Sequence, residues 1–224
     1  MKLKEFITFL NTIDLDNYRN KFVGNKSVEE DLPKNIQILK HIYKYYWDDR
    51  QFLLFDDFIN LVIKDITDDL KYYNKKRNNF SEHSDNAYPA FLDGWIARQY
   101  RTWSSILTQI QFAYCAEEHF KNNKVLMGYE LDINGVDVRV ENYADFGIKK
   151  ISQRKDIIKI KREEKQGVIP ITYWVPPIKI IKEPFKLNGE YRKPYLQFKE
   201  DNRLDILDNG FIIFNEKVFN GITE

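Results

Sequence analysis

Glu130, Asp132 and Asp137 lie close together in the chain, and Lys149 and Lys150 follow after one polar bend. Carboxylates are ligands for hard divalent cations, and an oxygen-only ligand set favours magnesium or manganese over zinc. A cation held there lowers the pKa of a bound water and offsets charge building on a reacting phosphorus. A neighbouring lysine can orient that water, deprotonate it or neutralise the developing charge. The residue types therefore suit hydrolysis of a phosphodiester. A plainer reading stands beside this one, because charged residues on the solvent face of a two-stranded ribbon are ordinary.

The chemistry needs a scaffold that puts acids and lysines on one surface. The stretch from Glu130 to Val140 and the stretch from Phe146 to Ile151 are both rich in Val and Ile with polar residues alternating. That is the pattern of half-buried strands, here joined by the polar bend Glu141 to Asp145. Folding about Tyr143 places Asp137 directly opposite Lys149, and directly opposed residues of an antiparallel pair share a face. Gly147 falls on that face too. Lys150 points the other way unless a bulge exchanges the two lysines.

The 224 residues, 43% of them hydrophobic, are enough for one domain with a sizeable core. Positions 1–120 read as a mainly helical region and 121–224 as a sheet core. No apolar run approaches the ~20 residues that span a bilayer, and the amino terminus lacks a signal-peptide pattern. The single cysteine, Cys115, leaves no internal disulfide and no thiolate metal site. A soluble, cytoplasmic protein with no membrane partner is the expectation. His41, His83 and His119 have no ligand neighbours at useful spacing and read as structural or surface residues. Net charge is +1, from 35 Lys and Arg against 34 Asp and Glu, so only the distribution of charge can inform.

Apolar spacing predicts helices over 3–10, 15–22, 35–47 and 52–73, then a polar loop over 74–86 that starts with Lys75-Lys76-Arg77. The longest helix is expected over 88–120, with Pro89 in its first turn, Cys115 buried, and Arg98, Arg101, Thr108 and Gln109 among its exposed polar positions. Residues 167–195 read as short strands and loops, with Pro170, Pro176 and Pro177 at edges and turns. Asp208-Asn209-Gly210 makes a turn before a last strand over 211–214.

After the hairpin comes a basic run: Lys149, Lys150, Arg154, Lys155, Lys159, Lys161 and Arg162 against the single acid Asp156. Charge runs are usually solvated loops or strands, but a positive strip continuous with a carboxylate cluster is what a polyanionic substrate needs. Ser152, Gln153, Arg154 and Lys155 follow the lysine strand closely enough to reach a DNA groove.

The segment Leu131-Asp132-Ile133-Asn134-Gly135-Val136-Asp137, with Ile148-Lys149-Lys150, resembles the PD-(D/E)XK nuclease signature. More narrowly, the chain resembles TaqI-type restriction endonucleases. The likeness takes in Phe9-Leu10, Asp14 to Tyr18, Val28 to Pro33, Tyr46-Trp47, Tyr100-Arg101-Thr102 through Leu107-Thr108-Gln109, Phe112-Ala113-Tyr114 and Asn209-Gly210-Phe211, in order along the chain. It is poor over 74–86 and 167–203. The resemblance implies an α/β (α+β) fold with a PD-(D/E)XK core, a mixed sheet flanked by helices behind a largely helical N-terminal region. It implies a type II restriction endonuclease in the cytoplasm of a bacterium or archaeon. Such an enzyme hydrolyses double-stranded DNA with magnesium, or manganese in its place, at a short palindrome, TCGA in that family. It implies a homodimer, with a cognate DNA methyltransferase as system partner rather than binding partner. Asp137 matches the metal-binding aspartate, Asp132 the acid before it, and Lys149 and Lys150 the paired lysines. Gly147 departs from the pattern, because the wider superfamily carries Glu, Asp or Gln two residues before the lysine. Either Glu130, Asp132 or a water then supplies the missing ligand oxygen, or the site is weakened. Two other classes compete: a sequence-tolerant DNA-binding protein without cleavage, and an interaction protein whose aromatic residues form core and interface.

Overall fold

The computed structural model describes residues 2–22, 28, 31–151 and 167–222. In chain order the elements are α1 (Lys2–Thr12), α2 (Leu15–Phe22), a 3-10 turn (Lys34–Ile36), α3 (Leu39–Ile42) widening into a π-turn (Tyr43–Asp48), α4 (Phe55–Arg77) and α5 (Ser84–His119). Then follow β1 (Val125–Leu126), α6 (Tyr129–Asp132), β2 (Val138–Val140), β3 (Ala144–Ile151), β4 (Val168–Trp174), α7 (Ile178–Lys182) and α8 (Lys193–Lys199). β5 (Leu204–Ile206), β6 (Ile212–Phe214) and a 3-10 turn (Glu216–Phe219) close the chain. The fold is mixed α/β with a largely helical first half, as expected. Among the described residues no helix is long and apolar enough to cross a membrane.

The chain forms two compact units, Asp16–Leu107 and Met1–Leu15 with Thr108–Glu224. The regular elements among the first unit's described residues are all helical, and aromatic rings organise it. Phe55 is fully buried, with Tyr100 5.2 Å and Trp103 5.4 Å from it between ring centroids. Buried ring heteroatoms need partners, and here they have them. Trp103 Nε1 donates to the Tyr46 hydroxyl at 2.8 Å, that hydroxyl donates to the Leu53 carbonyl at 2.6 Å, and Trp95 Nε1 donates to the Ile36 carbonyl at 3.0 Å.

Helix limits differ from the periodicity reading in ways with local causes. The 35–47 segment does not wind from its start, because Pro33 leads into a single 3-10 turn and α3 begins only at Leu39. α4 runs on through Lys75, Lys76 and Arg77, whose charges complement the carbonyl end of the helix dipole. α5 starts before Pro89, at Ser84, whose carbonyl accepts a 2.6 Å hydrogen bond from the buried Asn74 amide.

The second unit holds the sheet, in order β1-β2-β3-β4. β1, β2 and β3 pair antiparallel, while β3 and β4 pair parallel over the register Asp145↔Val168 to Ile151↔Trp174. β4 is an edge strand of this sheet among the described residues, which is where Pro170 is tolerated. Phe146 packs on Phe112 of α5 at 5.4 Å, and Phe112 meets Phe214 at 5.4 Å and Phe219 at 5.2 Å. The residues between Pro177 and Tyr195 are not only strands and loops, since α7 and the start of α8 lie there. β5 and β6 form a separate two-stranded sheet. Its β6 is clasped by fully buried Gln111 of α5, whose side chain donates to the Phe214 carbonyl at 2.9 Å and accepts from the Phe214 N–H at 2.8 Å. Asn209, in the turn before β6, ties down the end of α1 through the Leu10 and Ile13 carbonyls, at 2.7 and 2.9 Å.

Candidate active site

The first arm of the expected hairpin is strand only at its end. Glu130 and Asp132 lie on α6, a single helical turn closed by Asn134 and Gly135: Asn134 Nδ2 donates to the Glu130 carbonyl at 2.7 Å, and Gly135 takes φ 73°. A residue in the left-handed region that ends a helix is usually glycine. The chain then straightens into β2, and Asp137 sits at its entrance.

The ladder pairs Val138 with Phe146, Arg139 with Asp145 and Val140 with Ala144. The bend is therefore centred on Asn142, at φ 60°, and not on Tyr143. This corrects the expectation that Asp137 lies directly opposite Lys149. The Asp137 N–H donates to the Phe146 carbonyl at 2.9 Å, while Val138 is Phe146's ladder partner. Two residues thus address one, the arrangement of a bulge. Arg139 fixes the register by a two-pronged ion pair with Asp145, at 2.6 and 2.7 Å.

The Asp137 carboxylate accepts the Ile148 backbone N–H. Burial pushes its pKa up to about 6, and the charge of Asp132 and a hydrogen bond between the two acids push the same way. The Ile148 bond and the Lys149 charge pull against that rise. Asp132 and Lys149 are therefore each within electrostatic reach of Asp137. Lys150 is exposed overall, yet partial desolvation of its ammonium lowers its pKa. Across β3 and β4 it pairs with Tyr173, a buried residue hydrogen-bonded to Thr108 of α5. Burial pushes the Tyr173 phenol up to about 12, with the Asp137 charge contributing.

Magnesium is commonly held by one or two carboxylates with waters and a substrate phosphate completing the shell. Asp132 and Asp137 fit that role. Among the described residues no group of three His, Cys, Asp or Glu side chains could hold a metal, so Glu130 does not join the pair in one ligand cluster. Gly147 has a packing cause: a Cβ there would lie 3.3 Å from Val168 Cγ1 on the neighbouring parallel strand. Ser152, Gln153, Arg154 and Lys155 lie outside the described residues.

Sequence reasoning missed Thr108 and Tyr173. Thr108, expected on the exposed face of α5, is 7% exposed. It falls one residue after Leu107 and two before Ile110, both buried, so the apolar stripe itself marks it as inward-facing. Cys115 is buried as expected, which pushes its thiol up to about 12.

A mixed sheet with one acid at a strand entrance, a second on the helical turn before it and lysines on the next strand defines a candidate hydrolytic site, and the chain belongs to the TaqI restriction endonuclease family, whose sequence profile it matches over residues 3–224. It is 29% identical to the type II restriction enzyme TaqI of Thermus aquaticus, covering 98% of this chain and 86% of that one. It is 27% identical to the type II restriction enzyme TthHB8I of Thermus thermophilus, covering 96% and 84%. No solved structure matches the chain significantly.

Proposed function

We propose that this protein is a type II restriction endonuclease that hydrolyses phosphodiester bonds in double-stranded DNA with magnesium, or manganese in its place. By family resemblance its site is the palindrome TCGA, its core is of PD-(D/E)XK type, and it acts as a homodimer. The observation that carries the reading is the carboxylate pair Asp132 and Asp137, held beside Lys149 in a chain that matches the family from end to end. Asp137 and Asp132 would hold the cation, with the Ile148 N–H orienting Asp137. The cation, when bound, polarises the scissile phosphate and acidifies a water. Lys149 orients that water or stabilises the charge on phosphorus. Lys150 takes the lysine role if the bulge at Asp137 turns the pair.

One observation favours the second reading, DNA binding without cleavage: no third acid joins the pair among the described residues. A digest of long duplex DNA decides between them, run with magnesium, with calcium and with Asp137→Ala. Discrete magnesium-dependent fragments, absent in the variant, are the expected result, and their ends read out the site. Binding without cutting under all three conditions would overturn the nuclease.

A further inference from the structure

Between α7 and α8 the chain forms a small exposed hairpin. Phe185 and Tyr191 bridge antiparallel, the Lys186 N–H donates to the Glu190 carbonyl at 2.7 Å, and Lys186 and Glu190 form an ion pair at 2.9 Å. Phe185 stacks on Tyr191 with ring centroids 4.4 Å apart, and Tyr191 stacks on Tyr195 at 5.4 Å, nearly parallel at 11°. Leu187 stands at the tip, 110% exposed. Four of the ten large apolar side chains that are exposed among the described residues, Phe185, Leu187, Tyr191 and Leu196, fall in this short stretch. Water-facing apolar groups held in order are costly for a monomer and mark a contact surface.

Charge and position identify the partner. From Ile178 to Lys199 there are six basic residues against two acidic ones. Lys179, Lys193 and Lys199 have no ion-pair partner among the described residues, and Arg192 uses Nε on the Glu183 carbonyl. A twofold contact between copies would set this positive patch against itself, because a twofold interface is self-complementary. A polyanion meets both the charge and the apolar tip. The module also stands beside the candidate site. It leaves β4 at Trp174, in a strand parallel to β3, and its far end returns at Arg203, which donates to the Thr172 carbonyl at 3.0 Å. Thr172 is the ladder partner of Lys149.

We propose that the hairpin from Pro184 to Arg192 is a DNA-contact element. Leu187 enters a groove of the duplex as an apolar wedge, braced by the ring ladder, while Lys179, Arg192 and Lys193 meet phosphates on either side. Apolar wedges against base steps with flanking cations are a general mode of duplex binding. The inference rests on duplex DNA being the substrate.

The test is the anisotropy of a labelled duplex containing TCGA, titrated with the full chain over a salt series in calcium. Leu187→Ser is expected to weaken binding roughly tenfold with an unchanged salt slope, since it removes contact and no charge. Lys179→Gln combined with Lys193→Gln is expected to reduce the slope of log affinity against log salt by about 2. Tyr72→Ala, which truncates an exposed ring in the other unit, is the control and leaves affinity unchanged. Wild-type affinity and slope in both hairpin variants would overturn the proposal. So would a Leu187→Ser that breaks a dimer in sedimentation while each dimer's affinity holds, because the patch would then belong to a second copy. A wild type that binds no duplex also overturns it. Hairpin-dependent binding without magnesium-dependent cutting would overturn the nuclease reading alone.

Discussion

At the scale of single residues, Asp137 is held in a state that suits a cation better than it suits the empty protein. Its pKa of about 6 lies above that of a carboxyl in an unfolded chain, so the folded protein binds the extra proton. Folded stability contributed by this group is complete at low pH and is lost as pH rises from about 4 to 6. At pH 8 the bare carboxylate therefore costs up to about 2–3 kcal/mol. Asp137→Asn is expected to raise the melting temperature of metal-free protein at pH 8 and to give no gain near pH 4. Equal melting at both pH values would show that the acid is not strained. The same proton competes with metal, so manganese affinity measured by calorimetry should be flat above pH 7 and fall about tenfold per unit below pH 6. Gly147 makes a second residue-scale case. Gly147→Ala should cost about 1 kcal/mol through the 3.3 Å approach to Val168, and Val168→Ala should remove much of that penalty in a double-mutant cycle. Additive losses would mean that the contact is not the reason for glycine.

At the scale of elements, the sequence spoke clearly where one signal acted alone and poorly where two competed. α2 falls on the expected 15–22 because one apolar period runs unbroken there. The site hairpin was misjudged because Val and Ile alternation suggested one strand from Glu130 to Val140, while Asn134-Gly135 in its middle is a turn signal. Tertiary structure obeyed the turn, and the acids before it went onto α6. The register error has the same origin. Asn142 tolerates the left-handed region that the bend requires, Tyr143 does not, and the pairing is centred accordingly. The shared neighbourhood of Asp137 and Lys149 survives the change of register because Val136, Val138, Phe146 and Ile148 take the buried face on either side of them. Gly135→Ala should thus cost about 1 kcal/mol of stability through its φ of 73°, with a larger loss in DNA cleavage because Asp132 is displaced from Asp137. A cleavage rate that drops no more than stability predicts would detach α6 from the site. Gln111 was invisible for a different reason: its value lies in backbone groups of β6, far along the chain. Gln111→Leu takes the Gln111 partner from the buried Phe214 N–H, leaves its carbonyl the weak Cys115 thiol donor at 3.4 Å, and should cost about 1–3 kcal/mol in denaturant unfolding, well beyond an exposed Gln→Leu change.

At the scale of the whole molecule, composition is silent and arrangement carries the information. A net charge of +1 gives no hint of a polyanionic partner, yet the chain sorts its charges locally. Carboxylates gather at the entrance of β2, and cations gather on β3 and around the hairpin before α8. The Asp132 and Asp137 pair offers one candidate site per chain, whereas a palindromic duplex presents two equivalent scissile bonds. Under the palindromic site proposed above, twofold symmetry in the substrate would be matched by twofold symmetry in the enzyme. If the protein cuts as a homodimer, wild type mixed and re-equilibrated with Asp137→Ala forms a population with a single competent site. That population should release nicked circular plasmid as its main product, where wild type alone releases linear DNA. Dilution should favour intact over cut plasmid more steeply than enzyme concentration alone accounts for. If the mixture instead gives linear DNA in proportion to its wild-type fraction, with no accumulation of nicked circles, each chain cuts both strands in turn. The dimer would then have no part in the chemistry.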